Sequence, residues 1–205
     1  GRGAEKIIVS PNYENDGLLY LMDKTGSLRV TNNFGATFRP AELNLDGKYI
    51  GNLTFSPDFA NDQTLYVNTF GEGVFRSRDA GKSWASLGLR GKLLFSGPTF
   101  SSNYTEDKTL FAPAIDGVFR STDDGATWVA TGFIIDREEN KRIYSMKMHP
   151  TDSQIIMVAT EKGLYRSTDA LQTSTPIHSI STDAVEFDPA NGNIVYNTFK
   201  PSGQS

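Results

Sequence analysis

Cysteine is absent from the 205 residues of this chain. Its absence excludes disulfides, thiolate metal sites and cysteine nucleophiles, and fits either a reducing cytosol or a secreted bacterial protein. Histidine is nearly absent: His149 and His178 stand far apart with no carboxylate at fixed spacing, so no metal centre is expected. No run of 18 apolar residues occurs, which argues against membrane insertion through a helix. The formal net charge of -4 is not gathered into blocks, so the clustered Lys and Arg that nucleic acid requires are missing. No Gly-rich phosphate loop leads into a helix, no long helical pattern is found, and nothing calls for a cofactor. The opening Gly1-Arg2-Gly3-Ala4-Glu5-Lys6 has neither an initiator Met nor a signal-peptide core, and reads as the start of a processed or partial piece.

What is present points one way. Hydrophobic residues at 38% and charged residues at 21% are ordinary for a water-exposed fold with one sizeable core. Nineteen glycines and nine prolines, with 13 Phe and 8 Tyr, favour many short strands joined by tight turns, an all-β chain.

Self-similarity organises the strands. Val9-Ser10-Pro11-Asn12-Tyr13, Phe55-Ser56-Pro57-Asp58-Phe59, Phe100-Ser101-Ser102-Asn103-Tyr104 and Met148-His149-Pro150-Thr151-Asp152 each end an apolar run and open a polar turn, and Phe187-Asp188-Pro189-Ala190 begins a fifth copy. A second apolar run follows each. A glycine turn then leads to a third, as in Gly73-Val74-Phe75-Arg76-Ser77, Gly117-Val118-Phe119-Arg120-Ser121 and Gly163-Leu164-Tyr165-Arg166-Ser167. An octapeptide comes next every time, starting at Thr31, Ser77, Ser121 and Ser167, which are 46, 44 and 46 residues apart. With a fourth strand after it, each unit is four antiparallel strands in about 45 residues, the size of a propeller blade.

The octapeptide is Ser/Thr-x-Asp-x-Gly-x-Ser/Thr-Trp, complete at Ser77, Asp79, Gly81, Trp84 and at Ser121, Asp123, Gly125, Trp128. It resembles the Asp-box, or BNR repeat, of sialidases, sortilin-type receptor domains, xyloglucanase-type glycoside hydrolases and photosystem II assembly factors. The resemblance implies an Asp-box β-propeller over residues 6–199. The blades are expected at about 6–43, 49–88, 93–132 and 143–180, with a half blade at 183–199 and tails at 1–5 and 200–205. Four and a half blades suggest part of a larger propeller, completed by absent residues or by another chain. The first box keeps Thr31, Gly35 and Phe38 but has Asn33 for the Asp. The fourth keeps Ser167 and Asp169 but carries Leu171 for glycine and Ser174 for the aromatic, so its hairpin is expected to be loose or reshaped.

The box chemistry suits a sharp reversal. A short carboxylate accepts hydrogen bonds from N–H groups of its own turn, glycine supplies a left-handed backbone, and the indole covers the hairpin. Because the Asp residues, and likewise Arg76, Arg120 and Arg166, recur from blade to blade, they are read as scaffold rather than chemistry.

Function is expected where the repeat is broken. In similar propellers ligands bind at the loops from second to third strands and from blade to blade. There Phe70, Glu72, Asp116 and Glu161 lie in the hairpin loops, and Arg137 and Arg142 in the charged insertion Asp136-Arg137-Glu138-Glu139-Asn140-Lys141-Arg142. The acids could act as acid, base or ligand-binding groups, or simply make turns beside glycine. No convergent arginine trio with a Tyr/Glu pair is readable. The expectation is therefore a non-catalytic scaffold or binding module for a protein or glycan, secreted, periplasmic or at the cell surface. The alternative is a fragment of an Asp-box glycoside hydrolase.

Overall fold

The computed structural model describes residues 4–41, 43, 45, 49–94, 96–134 and 142–199. The chain is all-β, a β-propeller of four-stranded antiparallel blades, and these residues form two compact units that meet in sequence at Gly91 and Lys92.

The first unit holds two blades. One is β1 (Lys6–Val9), β2 (Leu18–Met22), β3 (Leu28–Asn32) and β4 (Arg39–Pro40), and the other is β5 (Ile50–Phe55), β6 (Leu65–Thr69), β7 (Gly73–Ser77) and β8 (Ala85–Ser86). The second unit has β9 (Thr99–Phe100), β10 (Leu110–Ala114), β11 (Gly117–Ser121) and β12 (Val129–Ile134) as one blade. Its next blade is β13 (Ile143–Met148), β14 (Ile156–Thr160), β15 (Gly163–Ser167) and β16 (Thr175–His178), and a two-stranded sheet follows in β17 (Thr182–Phe187) and β18 (Val195–Phe199). The helices are single turns, α1 (Tyr13–Asp16), α2 (Phe59–Asp62) and α3 (Tyr104–Asp107).

Middle strands such as β6, β10 and β14 are buried along their whole length, apolar on both faces. In the first unit Tyr20, Met22 and Val30 pack against Leu53, Phe55, Leu65 and Val67 of the next blade. Burying each of the larger of these side chains contributes about 1.5–3 kcal/mol. In the second unit Phe111 and Val118 meet Ile143, Ile156 and Val158, and Met157 and Leu164 meet Val185 and Phe187. Two faces of the repeat are exposed instead. Ile7 and Val9 pair with Leu21 and Leu19 as Leu53 and Phe55 pair with Val67 and Leu65, yet they are 67% and 48% exposed against 2% and 7%. Tyr196, which pairs with Glu186 as Met157 pairs with Lys147, is 58% exposed against 3%.

The box end of every blade is built alike. Ser77 Oγ donates to Asp79 Oδ1 at 2.7 Å and accepts from Gly81 N at 2.8 Å, while Ser83 N donates to Asp79 at 2.9 Å. Ser121, Asp123 and Gly125 repeat this, with Thr127 N on Asp123 at 2.8 Å. Asn33 serves as its amide: its Oδ1 accepts from Thr31 Oγ1 and Thr37 N, and its Nδ2 donates to Thr37 Oγ1 at 2.8 Å. Phe38, Trp84 and Trp128 lie half-buried beside their turns, with Trp84 against the core.

The fourth box corrects the expectation of a loose hairpin. Ser167 Oγ donates to Asp169 at 2.8 Å, Leu171 N donates to Ser167 Oγ at 2.9 Å, and Thr173 N and Oγ1 both donate to Asp169. Leu171 holds the glycine's left-handed backbone at φ 65 and is fully buried in the core. The physical reason shows at the equivalent glycine. A Cβ at Gly81 would enter ordinary van der Waals contact with Leu65, Tyr20 and Leu43, so the side chain at this position points inward. Burial there offsets a left-handed penalty of about 1–2 kcal/mol.

A second repeated turn braces the same end. Ser10, Ser56 and Ser101 each donate through Oγ to an aspartate six residues on, Asp16, Asp62 and Asp107, at 2.6 Å, and that aspartate accepts the N–H that opens the next strand. The turn then accepts the fourth residue of its own box: Ala80 N donates to Gln63 O, Asp124 N to Lys108 O and Ala170 N to Gln154 O. His149 stands where the serine would be, and its Nδ1 accepts from Thr151 N and Asp152 N instead.

Candidate functional site

The opposite end, formed by the loops from second to third strands and by the starts of the inner strands, differs from blade to blade. Three inner strands carry a register shift at the same place. β5 shifts between Ile50 and Asn52, β13 between Ile143 and Ser145, and β17 between Thr182 and Ala184. The extra residues are Gly51, Tyr144 and Asp183. A bulge leaves one residue unpaired and re-aims its neighbours, which is how sheets present side chains at a rim.

In the first unit the bulge makes room for aromatics. Phe70 N donates to Tyr49 O at 3.1 Å, and the two rings meet edge to face at 5.0 Å. A Cβ at Gly51 would stand 3.3 Å from the Phe70 ring and 2.8 Å from Asn68 Nδ2. Tyr49 OH donates to Lys24 O at 2.8 Å, which fixes its ring, and both rings remain nearly half exposed. Glu72, in the same hairpin as Phe70, is ion-paired with Arg90, whose Nε lies 3.3 Å away. Asp23 accepts Thr25 N at 2.8 Å and Ser27 N at 3.1 Å, so it makes its turn.

In the second unit Asp116 is ion-paired with Lys92, whose ammonium also lies 4.9 Å from the Phe119 ring centroid. Arg142 and Glu161 are neighbours, since Glu161 N donates to Arg142 O at 3.0 Å. Tyr144 lies within their field, and its phenol is raised, first by burial and then by the charge of Glu161, with Arg142 opposing and Asp183 adding. The His178 and Phe199 rings meet at a tilt with centroids 5.2 Å apart at the same end, with Asn197 Nδ2 at 3.4 Å from His178 Nε2. Arg137, with the rest of 135–141, lies outside the described residues. Among the described residues no group of three His, Asp or Glu could hold a metal ion.

The structure thus separates the sequence-level candidates. Phe70 and Glu72 share a loop, Arg142 and Glu161 sit side by side, and Glu72 and Asp116 are each ion-paired with a cation, Arg90 and Lys92. Tyr49, Tyr144 and Asp183 were missed by the sequence reading. Their only signal is the insertion of one residue into an inner strand, and a shift of one is invisible until the partner strand fixes the register.

The raised Tyr144 phenol is further from being a phenoxide nucleophile than a free tyrosine is, while exposed aromatic faces beside hydrogen-bonding polar groups suit sugar rings and peptide side chains. By contrast the box carboxylates are tuned for structure. The Thr127 hydroxyl, the Thr127 N–H and Ser121 hold Asp123 down to about 2. Ser83 and Ser77 hold Asp79 lower, and Thr173 and Ser167 lower Asp169.

Comparison with known proteins bears on this division. Residues 72–203 match the family model Sortilin-Vps10, described as sortilin, neurotensin receptor 3. Comparison with curated proteins finds no match. Among solved structures, an ancestral GH74 enzyme superimposes with TM-score 0.78 at 18% identity, over 97% of this chain and 28% of that one. The GH74 enzyme of Niastella koreensis gives 0.72 at 18% identity, over 94% and 34%. The extracellular domain of a one-component system of B. thetaiotaomicron gives 0.62 at 13%, over 85% and 24%. This chain spans about a third or less of the length of each of these structures.

Proposed function

Because the chain belongs to the Sortilin-Vps10 family, we propose that it is a non-catalytic Asp-box propeller segment that binds a protein or glycan at the bulged end of its blades. One observation carries the reading: the box turns keep one hydrogen-bond pattern from blade to blade, whereas the bulged end carries a different constellation in each. Scaffold positions repeat and recognition positions diverge.

The alternative, a piece of an Asp-box glycoside hydrolase, draws on the likeness to GH74 enzymes. It requires two carboxylates free to act across a cleft. Glu72 and Asp116 are each held by Arg90 and Lys92, which weighs against it. The extracellular domain among the structural neighbours supports a place outside the cytoplasm, and among the described residues no helix is long and apolar enough to cross a membrane. The exposed faces around Ile7 and around Tyr196 are the kind that repeat-equivalent blades cover, so further blades, from the same chain or another, complete the propeller in this reading.

The test uses the purified chain against a glycan array and a peptide library, with reducing-end release from the same polysaccharides as the enzymatic readout. Binding that falls on Tyr49→Ala, Phe70→Ala or Tyr144→Ala, with unchanged thermal unfolding and no sugar release, is expected. Sugar release that stops on Glu72→Gln or Asp116→Asn would establish the hydrolase instead.

A further inference from the structure

In the second unit, at the box end and away from the bulged rim, a cleft of about 270 Å³ runs along β12. Its walls include Arg120, Thr122, Val129, Thr131, Leu171 and Gln172. It exists because this blade departs from the repeat: β12 has six residues where the outer strands β4 and β8 have two. The longer strand is pinned to the next blade's box where Gly132 N donates to Leu171 O at 2.8 Å. Only glycine allows that approach, since a Cβ at position 132 would come within 1.9 Å of Gln172 O.

Arg120, Thr122, Thr131 and Gln172 each carry a hydrogen-bond donor at the cleft. Arg120 lies over the Phe111 ring, 5.9 Å from its centroid, and its Nε is buried without a hydrogen-bond partner among the described residues. Thr131 Oγ1 already accepts from Phe133 N at 3.2 Å, which leaves its proton to give. Thr122 adds a hydroxyl and Gln172 an amide. Asp123, the box carboxylate of this blade, is engaged by Ser121 and by the Thr127 amide and hydroxyl. A buried guanidinium N–H without an acceptor is a costly arrangement that an anion relieves, and a planar carboxylate matches it. Val129 and Ala130 supply an exposed apolar wall.

We propose that this cleft binds a small carboxylate with an apolar body, its oxygens on Arg120 and the threonine hydroxyls and its hydrocarbon on Val129 and Ala130. The equivalents Arg76 and Arg166 share the residue but not the long outer strand, so the site belongs to this blade alone among those described. It is independent of the bulged-end binding surface.

The experiment is a nitrogen-proton NMR titration of the chain with 4-methylpentanoate, using 4-methylpentanamide as the uncharged probe. Saturable shifts at the Arg120 Nε–H and at the Gly132 and Gln172 amides with the acid, and none with the amide, are expected. Arg120→Met is expected to weaken binding roughly 10-fold or more, the worth of a charge-assisted hydrogen bond. Since Arg120 also packs on Phe111, Val129→Trp is the second variant: Val129 is 69% exposed, so the indole fills the cleft without touching the core and is expected to abolish the shifts. No shift at Arg120, equal shifts with the amide, or unchanged affinity in Val129→Trp would each overturn the proposal.

Discussion

Returning Leu171 to the glycine of the other boxes is expected to destabilise the protein, against the direction the repeat pattern suggests. Two effects oppose each other. Glycine relieves a left-handed backbone at φ 65, which costs a residue with a Cβ about 1–2 kcal/mol. It also empties a fully buried position in a core shared with Phe111, Ile143 and Ile156, and removing a core leucine side chain costs about 2–5 kcal/mol. The central values favour the cavity, leaving Leu171→Gly about 2 kcal/mol less stable within a span of about 0–4 kcal/mol, or a lower Tm by roughly 4–8 °C for a chain of this size. Leu171→Ala keeps the strain and only the Cβ of the packing, so it falls below the glycine variant by up to about 1 kcal/mol. Urea unfolding of the three proteins gives the order leucine, glycine, alanine. A glycine variant as stable as the parent, or an alanine variant above the glycine one, would refute the argument that burial rather than backbone freedom decides this position.

Acid should act on three boxes and spare the first. Asp123 is lowered from 3.8 to about 2, so its contribution to stability is complete above its unfolded value and lost as pH falls through about 4 to about 2; protection of the Gly125 and Thr127 amides should decline over that window while Gly35 and Thr37, held by Asn33, keep theirs. Alanine at Gly163, where a Cβ would lie 2.0 Å from His178 O, should cost roughly 2–5 kcal/mol, against about 1–2 kcal/mol at Gly35, where nothing stands within 4 Å; thermal melts of the pair separate steric clash from backbone preference. Ile7→Lys should change the stability of this chain by no more than about 0.5 kcal/mol, as at an ordinary surface site, whereas in a protein carrying a covering blade it should cost several times that; equal effects in both would remove the case for further blades.

Much of the architecture was legible because it depends on local chemistry repeated in phase. Ser77, Asp79 and Gly81 close their turn with groups at most four residues apart, so the octapeptide alone specifies it. The serine-to-aspartate brace from Ser10 to Asp16 was equally local but escaped notice, because only its opening residues stand out as a motif. The candidate site was less legible. Phe70 and Glu72 could be placed in a loop by counting, but that Phe70 meets Tyr49, and that Arg90 takes Glu72, depends on chain segments about twenty residues apart.

The sequence by itself therefore determined the blade: strand order, turn positions and which residues serve as hairpin fasteners, all set by hydrogen bonds and φ preferences within a few residues. Only the tertiary structure decided what the exceptions mean. Leu171 reads as a damaged box until the core it fills is seen, Tyr144 and Asp183 become rim residues through one-residue shifts against a partner strand, and Arg120 passes for a repeated scaffold arginine until the length of β12 opens a cleft beside it. Those outcomes rest on packing and register between segments distant in sequence.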